Sequence, residues 1–346
     1  MNFTQTLIDW YSVNKRNLPW RETKKPYFIW LSEIILQQTR IDQGLPYYNA
    51  FKLTFPTVQD LADAEEHEVL KLWQGLGYYS RARNLHHTAK HIAYERNGNF
   101  PNTYKKLLSL KGVGDYTASA IASICYDESC AVVDGNVYRV LSRFFDLDVP
   151  INSSNGTKTF KSLAQSLLPK QGVGDYNQAI MEFGAVQCKP RNPDCTTCPL
   201  SNSCMAFSRN KVSLLPVKVM KSKISKRYFN FLVFVNQHKE TIIEQRKENG
   251  IWKNLYQFPL IESSTSLSEM QIKEGPEFNK FLDASKSRII LFNDQEVIHK
   301  LSHQHLYTKF WIVETESLPQ LGIKTTNIHD YPVPILIGNF IDEFNF

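Results

Sequence analysis

The sequence predicts a mainly α N-terminal domain followed by a smaller C-terminal α/β domain. From Phe3 to about Ser208, apolar residues recur at three- and four-residue spacing, with Gly, Pro or Asn between the runs. After Tyr228 the apolar period changes to two, which is typical of strands. A chain of 346 residues is long enough for two domains that each bury a core.

A basic segment separates the two predicted domains, which we place at residues 1–208 and 228–346. Between them, residues 209–227 contain no acidic side chain and seven basic ones: Arg209, Lys211, Lys218, Lys221, Lys223, Lys226 and Arg227. We interpret this segment as a linker that can lie along a phosphate backbone.

The elements of the second domain follow from the change in period. Strands are predicted at residues 228–235, 287–293 and 309–313, and a closing helix at residues 335–344. Residues 263–275 show no clear period, so we expect a surface loop there.

Charge and cysteine usage limit the class of protein. The net charge of +6 fits a polyanionic partner but does not require one. No apolar run reaches membrane-spanning length, and the N-terminus lacks a signal-peptide pattern. We therefore expect a soluble, monomeric, cytoplasmic protein without a membrane partner, associated with the nucleoid if it is bacterial.

A glycine pair and an aspartate carry the first functional signal. Gly112 and Gly114 precede a helix of small residues, whose first backbone N–H groups are polarised and suit a phosphate. The next apolar run ends at Asp134, which brings a carboxylate toward the same surface. An alternative role for Asp134 is to cap the helix that begins at Gly135, and the two roles are compatible.

Four of the six cysteines lie within residues 188–204. They are spaced Cys188-x6-Cys195-x2-Cys198-x5-Cys204, with three prolines between them. Four thiolates without a histidine suit either tetrahedral zinc or an iron–sulfur cluster. Reduced structural cysteines are a third reading, which we disfavour because free cysteines are normally scattered and buried.

An acidic residue stands inside an apolar helical run. Helical spacing places Trp30, Glu33 and Gln37 on one face, where they could line a pocket for a flat heterocycle. Apolar neighbours disfavour the charged carboxylate, which would help Glu33 act as a general acid. The alternative is an interior Glu33 that is paired with Arg21 or Arg40.

Turn glycines, aromatics and cations meet at residues 75–83. Tyr78 and Tyr79 follow two glycines and precede Arg81 and Arg83. Such a segment can insert into and grip a nucleic acid. Taken alone, it is more often a pair of core tyrosines with solvated arginines.

Together these residues resemble the helix-hairpin-helix DNA glycosylases with an iron–sulfur cluster, the endonuclease III superfamily. The resemblance extends from Leu7 to Cys204 and rests on the hairpin at Gly112, the segment around Asp134 and the cysteine loop. It implies a helix-hairpin-helix glycosylase domain with Gly112 and Gly114 on the DNA backbone. It also implies a 4Fe–4S cluster on Cys188, Cys195, Cys198 and Cys204.

Position 116 narrows the resemblance. The lyase branch of the superfamily has a catalytic lysine there, which forms a Schiff base, whereas this chain has Tyr116. Tyr116 and the second domain are similar to the adenine glycosylases of the MutY type, which remove adenine opposite 8-oxoguanine. This resemblance implies a monofunctional enzyme that hydrolyses the glycosidic bond without cutting the strand.

The resemblance also implies roles for individual residues. Glu33 would protonate the departing adenine, and Asp134 would stabilise an oxocarbenium-like sugar, as paired carboxylates do in sugar hydrolases. Tyr116 and Asn136 would orient them. The adenine would be flipped out of the stack. The remaining implied contacts are Arg21, Trp30 and Gln178 in the adenine pocket, and Gln38 and Tyr78 inserted beside the lesion.

The C-terminal part resembles the 8-oxoguanine-reading, Nudix-like domain of the same family. Its metal-binding glutamate helix is missing, so no pyrophosphatase activity is expected. The family's Phe-Ser-His loop corresponds to Leu301, Ser302 and His303, with leucine in place of the aromatic residue. The resemblance implies that Ser302 and His303 hydrogen-bond the damaged base. Without it, His303 would be read as a surface residue at a strand end.

We expect a monofunctional adenine DNA glycosylase of base excision repair. Its partner would be double-stranded DNA containing adenine opposite 8-oxoguanine or guanine. One alternative is a thymine or uracil mismatch glycosylase of the same fold, which the second domain argues against. Another is a catalytically silent DNA-damage binder, which would need neither Glu33 nor Asp134.

Overall fold

The structure is a computed structural model that describes residues 2–219, 224–281 and 288–346. Its contacts divide the chain into two compact units. The first comprises Met1–Asp63 and Asn84–Met220, and the second comprises Ala64–Arg83 and Lys221–Phe346. Residues 64–83 were predicted to belong to the helical domain, whereas they group with the C-terminal half by their contacts. The boundaries at 208 and 228 remain predictions.

In residues 2–219 every regular element is a helix, as the apolar spacing predicts. Pro26 at the first position of one helix and the Ser153 side chain at the start of another are typical initiation signals. The α-helices are α1 (Phe3–Asn14), α2 (Pro26–Ile35), α3 (Ile41–Thr54), α4 (Val58–Asp63), α5 (Glu66–Leu72), α6 (Ser80–Lys90), α7 (Tyr104–Leu108), α8 (Asp115–Tyr126), α9 (Gly135–Phe144), α10 (Ser154–Ser166), α11 (Val173–Val186) and α12 (Met205–Ser208).

The core of the first unit forms around α11, which packs against α1, α8 and α9, while α2 packs against α8. Apolar residues at helical spacing in this unit, among them Leu61, Ile121, Ile124, Val137 and Leu141, are buried. This packing fixes the N-termini of α8 and α9 relative to α2. No helix among the described residues combines the length and apolarity that a membrane crossing needs.

The described part of the basic linker follows the first unit. Arg209 and Lys211 both pair with Asp146, at 2.6 and 2.9 Å. Asn152 exchanges two hydrogen bonds with the backbone of Val219. Residues 209–219 are therefore held by specific contacts, while Lys221 and Lys223 lie outside the described residues.

The second unit contains a mixed sheet in the order β5-β1-β8-β6, with β7 also paired to β8. Its two long central strands, β1 and β8, run parallel. The strands of the second unit are β1 (Ser225–Val235), β2 (Glu240–Thr241), β3 (Glu244–Gln245), β4 (Tyr256–Gln257), β5 (Leu260–Ser263), β6 (Arg288–Leu291), β7 (Val297–Lys300), β8 (Gln304–Glu314) and β9 (Ile323–Lys324). The C-terminal helices of this unit are α13 (Glu269–Lys273), α14 (Pro276–Asn279) and α15 (Ile335–Phe344).

The predicted strands and closing helix of this unit are found, with two differences. The strand expected at residues 287–293 begins at Arg288, and Ser287 lies outside the described residues. The prediction of a surface loop at residues 263–275 is wrong in part, because this segment contains the short helix α13. Ser268 and Gln271 form a capping box there, and Ile272 is fully buried. Five residues are too few to show a helical period.

Candidate active site

A cleft of about 990 Å³ lies within the first unit, between α2, the N-termini of α8 and α9, and one side of α11. All four residues predicted to be catalytic line it: Glu33, Tyr116, Asp134 and Asn136. Residues distant in sequence thus meet in one site.

Glu33 reaches the cleft from α2, where its neighbours Ile34 and Ile35 are buried. The pKa of Glu33 is raised to about 7, chiefly by burial; a hydrogen bond from the Tyr116 hydroxyl opposes this rise, and the charge of Asp134 adds to it. The carboxyl group therefore holds a proton over much of the range below neutrality.

Tyr116 is the second residue of α8, and the charges of both Glu33 and Asp134 act on its hydroxyl group. Burial first, and then the charges of Glu33 and Asp134, hold the pKa of this phenol well above its usual value. Its hydroxyl also lies 3.2 Å from the sulfur of Met181. Tyr116 is thus a neutral hydrogen-bond donor in the cleft.

Asp134 caps α9 and also lines the cleft, so both of its predicted placements are compatible. Oδ1 accepts hydrogen bonds from the backbone N–H groups of Asn136 (2.9 Å) and Val137 (2.8 Å), and Oδ2 accepts one from Asn136 Nδ2 (2.7 Å). Burial raises the pKa of Asp134, and these donors oppose that rise. Three donors at a helix N-terminus favour the carboxylate form.

Arg139, which the sequence analysis did not single out, fixes Asn136. Its Nη2 donates to Asn136 Oδ1 (2.8 Å) and to the Gly184 carbonyl (2.6 Å). Its Nε donates to the carbonyl of Cys188 at 2.7 Å. The orientation of the Asn136 amide, and through it that of Asp134, depends on this arginine and on the start of the cysteine loop.

Another acid that lines the cleft, Glu182, was also missed from the sequence. Its carboxylate accepts hydrogen bonds from Arg16 Nε (2.8 Å) and Nη2 (2.7 Å) and from Arg21 Nη2 (2.6 Å). These contacts lower the pKa of Glu182 to about 2 despite the opposing effect of burial, which is the largest single contribution. An acid between apolar neighbours in α11 is the signal that identified Glu33 and would have identified Glu182.

The predicted adenine-pocket residues are only partly brought together. Arg21 and Gln178 line the cleft, and Gln178 accepts a hydrogen bond from the Tyr11 hydroxyl at 3.3 Å. Trp30 is 1% exposed and packs against Phe100 instead of lining the cleft, where the indole is Trp20. The predicted contact between Trp30 and a base thus has no support in this geometry. The suggested pairing of Arg21 with Glu33 is wrong, since Arg21 pairs with Glu182.

At the rim of the cleft, Gln38 is exposed and has a positive φ of 56°. Its neighbour Gln37 lies deeper and donates to the Thr117 hydroxyl at 3.1 Å. Gln38 is thus exposed where it lines the cleft, and its insertion beside the lesion stays a prediction.

The hairpin between α7 and α8 presents an uncapped helix N-terminus. Gly112 has φ +79°, and a Cβ there would lie 2.7 Å from the Cβ of Asn84, so glycine is required. Gly114 occupies the N-cap of α8 and supplies no side-chain cap. An identical pentapeptide begins at Gly172, but there Asp127 accepts hydrogen bonds from the first N–H groups of α11. In the described part of the chain, the N-terminus of α8 thus has no side-chain cap, and its first N–H groups suit an external anion.

The four cysteines of the loop line one small cavity. Arg143 reaches into the same region, with Nη1 3.4 Å from the Cys188 sulfur and 2.7 Å from the Lys189 carbonyl. The described side chains include no group of three or more His, Cys, Asp or Glu placed to hold a single metal ion. The donor set of four thiols around one cavity fits the chemistry of an iron–sulfur cluster.

The remaining predicted residues lie in the second unit. Ser302 and His303 are exposed in the turn between β7 and β8. The hydroxyl of Tyr78 lies 2.5 Å from the Ser302 hydroxyl. Tyr78 is 47% exposed with φ +48°, and Arg81 stacks near its ring at 5.6 Å. Two residues proposed from separate motifs are thus in direct contact.

Comparison with known proteins identifies both halves of the chain. Residues 31–167 match the HhH-GPD superfamily of base excision DNA repair proteins, and residues 230–343 match the NUDIX domain. A thermostable thymine-DNA glycosylase aligns with TM-score 0.55 and 29% identity, covering 60% of this chain and 95% of that one. Endonuclease III bound to DNA, at 21% identity and TM-score 0.52, shares the fold over 60% of this chain and 94% of its own.

Two relatives identify the family within this superfamily. The adenine DNA glycosylase of Buchnera aphidicola subsp. Baizongia pistaciae is 37% identical over 316 residues, which cover 90% of this chain and 86% of the relative. The adenine DNA glycosylase of Homo sapiens is 42% identical over 216 residues, covering 60% of this chain and 40% of the relative. The chain is a DNA glycosylase and belongs to the family of the adenine DNA glycosylases.

Proposed function

We propose that the chain is a monofunctional adenine DNA glycosylase that hydrolyses the N-glycosidic bond of adenine mispaired with 8-oxoguanine or guanine. It would act on double-stranded DNA in base excision repair, as a cytoplasmic, nucleoid-associated monomer if the source is bacterial. The observation that carries the proposal is the meeting of Glu33, Tyr116 and Asp134 in one cleft. Their environments differ, and this difference assigns their roles.

Glu33 is the general acid. With a pKa of about 7 it carries a proton near neutrality, and it transfers this proton to N7 of the flipped adenine. The bond between N9 and C1′ then breaks with a neutral base as the leaving group. A water molecule adds to C1′ and passes its proton to the Glu33 carboxylate, which restores the acid.

Asp134 stabilises the positive charge that develops on the sugar. Its donors from Asn136 and Val137 hold the carboxylate in place before the reaction. A fixed charge in a partly buried site stabilises a transition state more than a solvated one, since no reorganisation is needed. Tyr116 and Asn136 act as positioning residues for the two carboxyl groups.

The cluster of Arg16, Arg21 and Glu182 supports recognition of the base. A purine edge carries both donors and acceptors, and this cluster presents both at one wall of the cleft. Gln178 adds an amide to the same wall. Hydrogen bonds within the protein hold these groups in place, so a base of the wrong shape would meet donors and acceptors that cannot move to match it.

Position 116 supports hydrolysis without strand cleavage. A lyase needs an amine to attack C1′, and the phenol of Tyr116 has none. Strand breakage should therefore appear only when the abasic product is treated with alkali.

We further propose that Cys188, Cys195, Cys198 and Cys204 hold a 4Fe–4S cluster. When bound, the cluster supplies metal–thiolate bonds that fold the loop 188–204. The test is Cys198→Ser with Cys125→Ser as the control, because Cys125 lies outside the loop. The first variant should lose iron and visible absorption and the second should not. Equal absorption in both variants would contradict the assignment.

Lesion reading is proposed for the turn that carries Ser302 and His303. The contact between Tyr78 and Ser302 supports it, because an inserting residue and a base-reading residue would act at one position. The hydroxyl and imidazole groups of Ser302 and His303 can hydrogen-bond the edge of 8-oxoguanine.

The test is a single-turnover assay on duplexes with adenine opposite 8-oxoguanine, adenine opposite guanine, and thymine opposite guanine. We expect adenine release, fastest from the first duplex. Thymine release alone would instead favour the activity of the thymine-DNA glycosylase, to which 60% of this chain is similar. Tight binding without release from any duplex would indicate a damage binder.

A further inference from the structure

One face of the sheet in the second unit is covered at one end and open at the other. Toward the C-terminal ends of β1 and β8, Leu232, Phe234, Trp311 and Val313 lie in a buried cluster with Ile272 and Phe278 of the short helices. Toward their N-terminal ends, the residues on the same face are exposed or half-buried. Packing in the core therefore does not explain which residues stand at this open end.

The open end consists of two rows of side chains across β1, β8 and β7. The register places Tyr228 beside Tyr307 and Tyr307 beside Ile298. It likewise places Lys226 beside His305 and His305 beside Lys300. Residues paired in this way point to the same face. We call these six residues the β1–β8–β7 patch.

The chemistry of the patch suits an anionic polymer. The rings of Tyr228 and Tyr307 stack at 5.1 Å, and Lys226 Nζ lies 5.6 Å from the centre of the Tyr307 ring. Ile298 is 47% exposed. The two rows of this described patch hold two lysines and a histidine and no acid. Lysine and tyrosine donors are typical contacts to phosphate oxygens.

The patch is continuous with the turn proposed to read the lesion. Leu301, Ser302 and His303 connect β7 to β8, so the reading turn and the patch are parts of one hairpin. Three strands span about 10 Å at about 4.8 Å per strand spacing. One DNA strand presents a phosphate per about 3.4 Å along the axis, so the patch can contact about two or three phosphates.

We propose that the β1–β8–β7 patch binds the sugar–phosphate backbone of DNA next to the lesion. This inference rests on the proposed function, because it takes DNA with a mispair as the ligand. The lysines neutralise phosphates, the tyrosine hydroxyls donate to phosphate oxygens, and the ring faces with Ile298 pack on deoxyribose. The patch thus fixes the register of the reading turn without reading sequence.

The test compares the variant Lys226→Gln/Lys300→Gln with the control Lys239→Gln/Lys324→Gln. Lys239 follows the C-terminal end of β1, and Lys324 lies in β9, which pairs with β2; the change in charge is the same. Affinity is measured by fluorescence anisotropy from about 50 to about 200 mM salt. The duplex carries 2′-fluoroadenosine opposite 8-oxoguanine, because the fluorine slows cleavage of the glycosidic bond.

The patch variant should bind the duplex about three- to tenfold more weakly. The magnitude of the negative slope of log K against log salt should decrease by about 1.8, because two phosphate contacts are lost. The affinities for the duplex with guanine and for the duplex with 8-oxoguanine should fall by the same factor. Changes in the reading turn should instead lower the two affinities by different factors. In Tyr228→Phe/Tyr307→Phe, which keeps the stacked rings, a smaller loss of affinity is expected.

A patch variant with the same salt slope as the control variant would overturn the inference. That result leaves the proposed function intact if the unmodified chain still releases adenine. Absence of adenine release by the unmodified chain would contradict the proposed function instead, so the two failures are distinguishable.

Discussion

Asn136 donates a hydrogen bond to each carboxylate oxygen of Asp134, from its backbone N–H to Oδ1 at 2.9 Å and from Nδ2 to Oδ2 at 2.7 Å. Both bonds lie in the first turn of α9, where the helix dipole also favours a negative charge. The carboxylate is therefore oriented before any substrate binds. Its role as a cap and its proposed role in catalysis use the same geometry.

The substitution Asp134→Asn should reduce base release by about a hundredfold or more while DNA binding is largely kept. The amide keeps an oxygen for the cap but loses the charge that stabilises the sugar cation. Asp127→Asn is the matched control, because Asp127 caps α11 and lies outside the cleft. Single-turnover release and anisotropy binding are measured for both. Comparable rates in the two variants would contradict the assigned role of Asp134.

The rate of base release should fall as the pH rises through about 7, because the proton on Glu33 is lost in that range. The hydrogen bond from Tyr116 lowers the pKa of Glu33, so Tyr116→Phe should move this limb of the profile to higher pH. Single-turnover rates from about pH 5 to about pH 9 test both statements. A profile that is unchanged by Tyr116→Phe would show that the two groups are not coupled.

The raised pKa of Glu33 also links stability to pH. The folded chain binds this proton more tightly than the unfolded one, so the contribution is present below about 4.5 and is lost as the pH rises to about 7. Glu33→Gln should therefore gain about 1 to 3 kcal/mol over the unmodified chain at pH 8, and little at pH 5. Denaturant unfolding at the two pH values measures this difference, and an equal gain at both would argue against a buried, protonated Glu33.

Glu33 and Glu182 show what the sequence could reveal about the site. Both acids are conspicuous in apolar helical runs, yet only Glu33 was recognised as a cleft residue. The partners of Glu182, Arg16 and Arg21, lie more than 160 residues away in sequence. Such a contact depends on the packing of α1 and α11, which periodicity does not give.

The prediction that Trp30 lines the adenine pocket failed to find support for a similar reason. A helical period places Trp30 and Glu33 on one side of α2 but does not say which part of that side meets solvent. In the structure Trp30 packs against Phe100 and is buried, whereas Glu33 borders the cleft. The class and order of the long elements followed from local patterns, while α13 and the grouping of residues 64–83 depended on tertiary contacts.

Glu182→Gln should destabilise the first unit by about 2 to 4 kcal/mol, because it leaves two arginines without their shared carboxylate. Asp115→Asn is the control, since its ion pair with Lys161 is exposed and should contribute less than about 1 kcal/mol. The contribution of Glu182 is present above about pH 4.5 and is lost as the pH falls toward about 2. Denaturant unfolding at neutral pH should separate the two variants. Equal losses would mean that the buried pair adds nothing beyond a surface ion pair.

His303→Ala should reduce the preference for 8-oxoguanine over guanine and leave the release of adenine opposite guanine nearly unchanged. The imidazole lies in the exposed turn between β7 and β8, beside the Ser302 hydroxyl that contacts Tyr78. Loss of one hydrogen bond to a base edge typically reduces discrimination by about 1 to 3 kcal/mol, or about five- to 150-fold. His238→Ala is a control in another turn of the same unit. The ratio of single-turnover rates on the two duplexes is the measurement. A ratio that is identical in both variants would place lesion reading elsewhere than on His303.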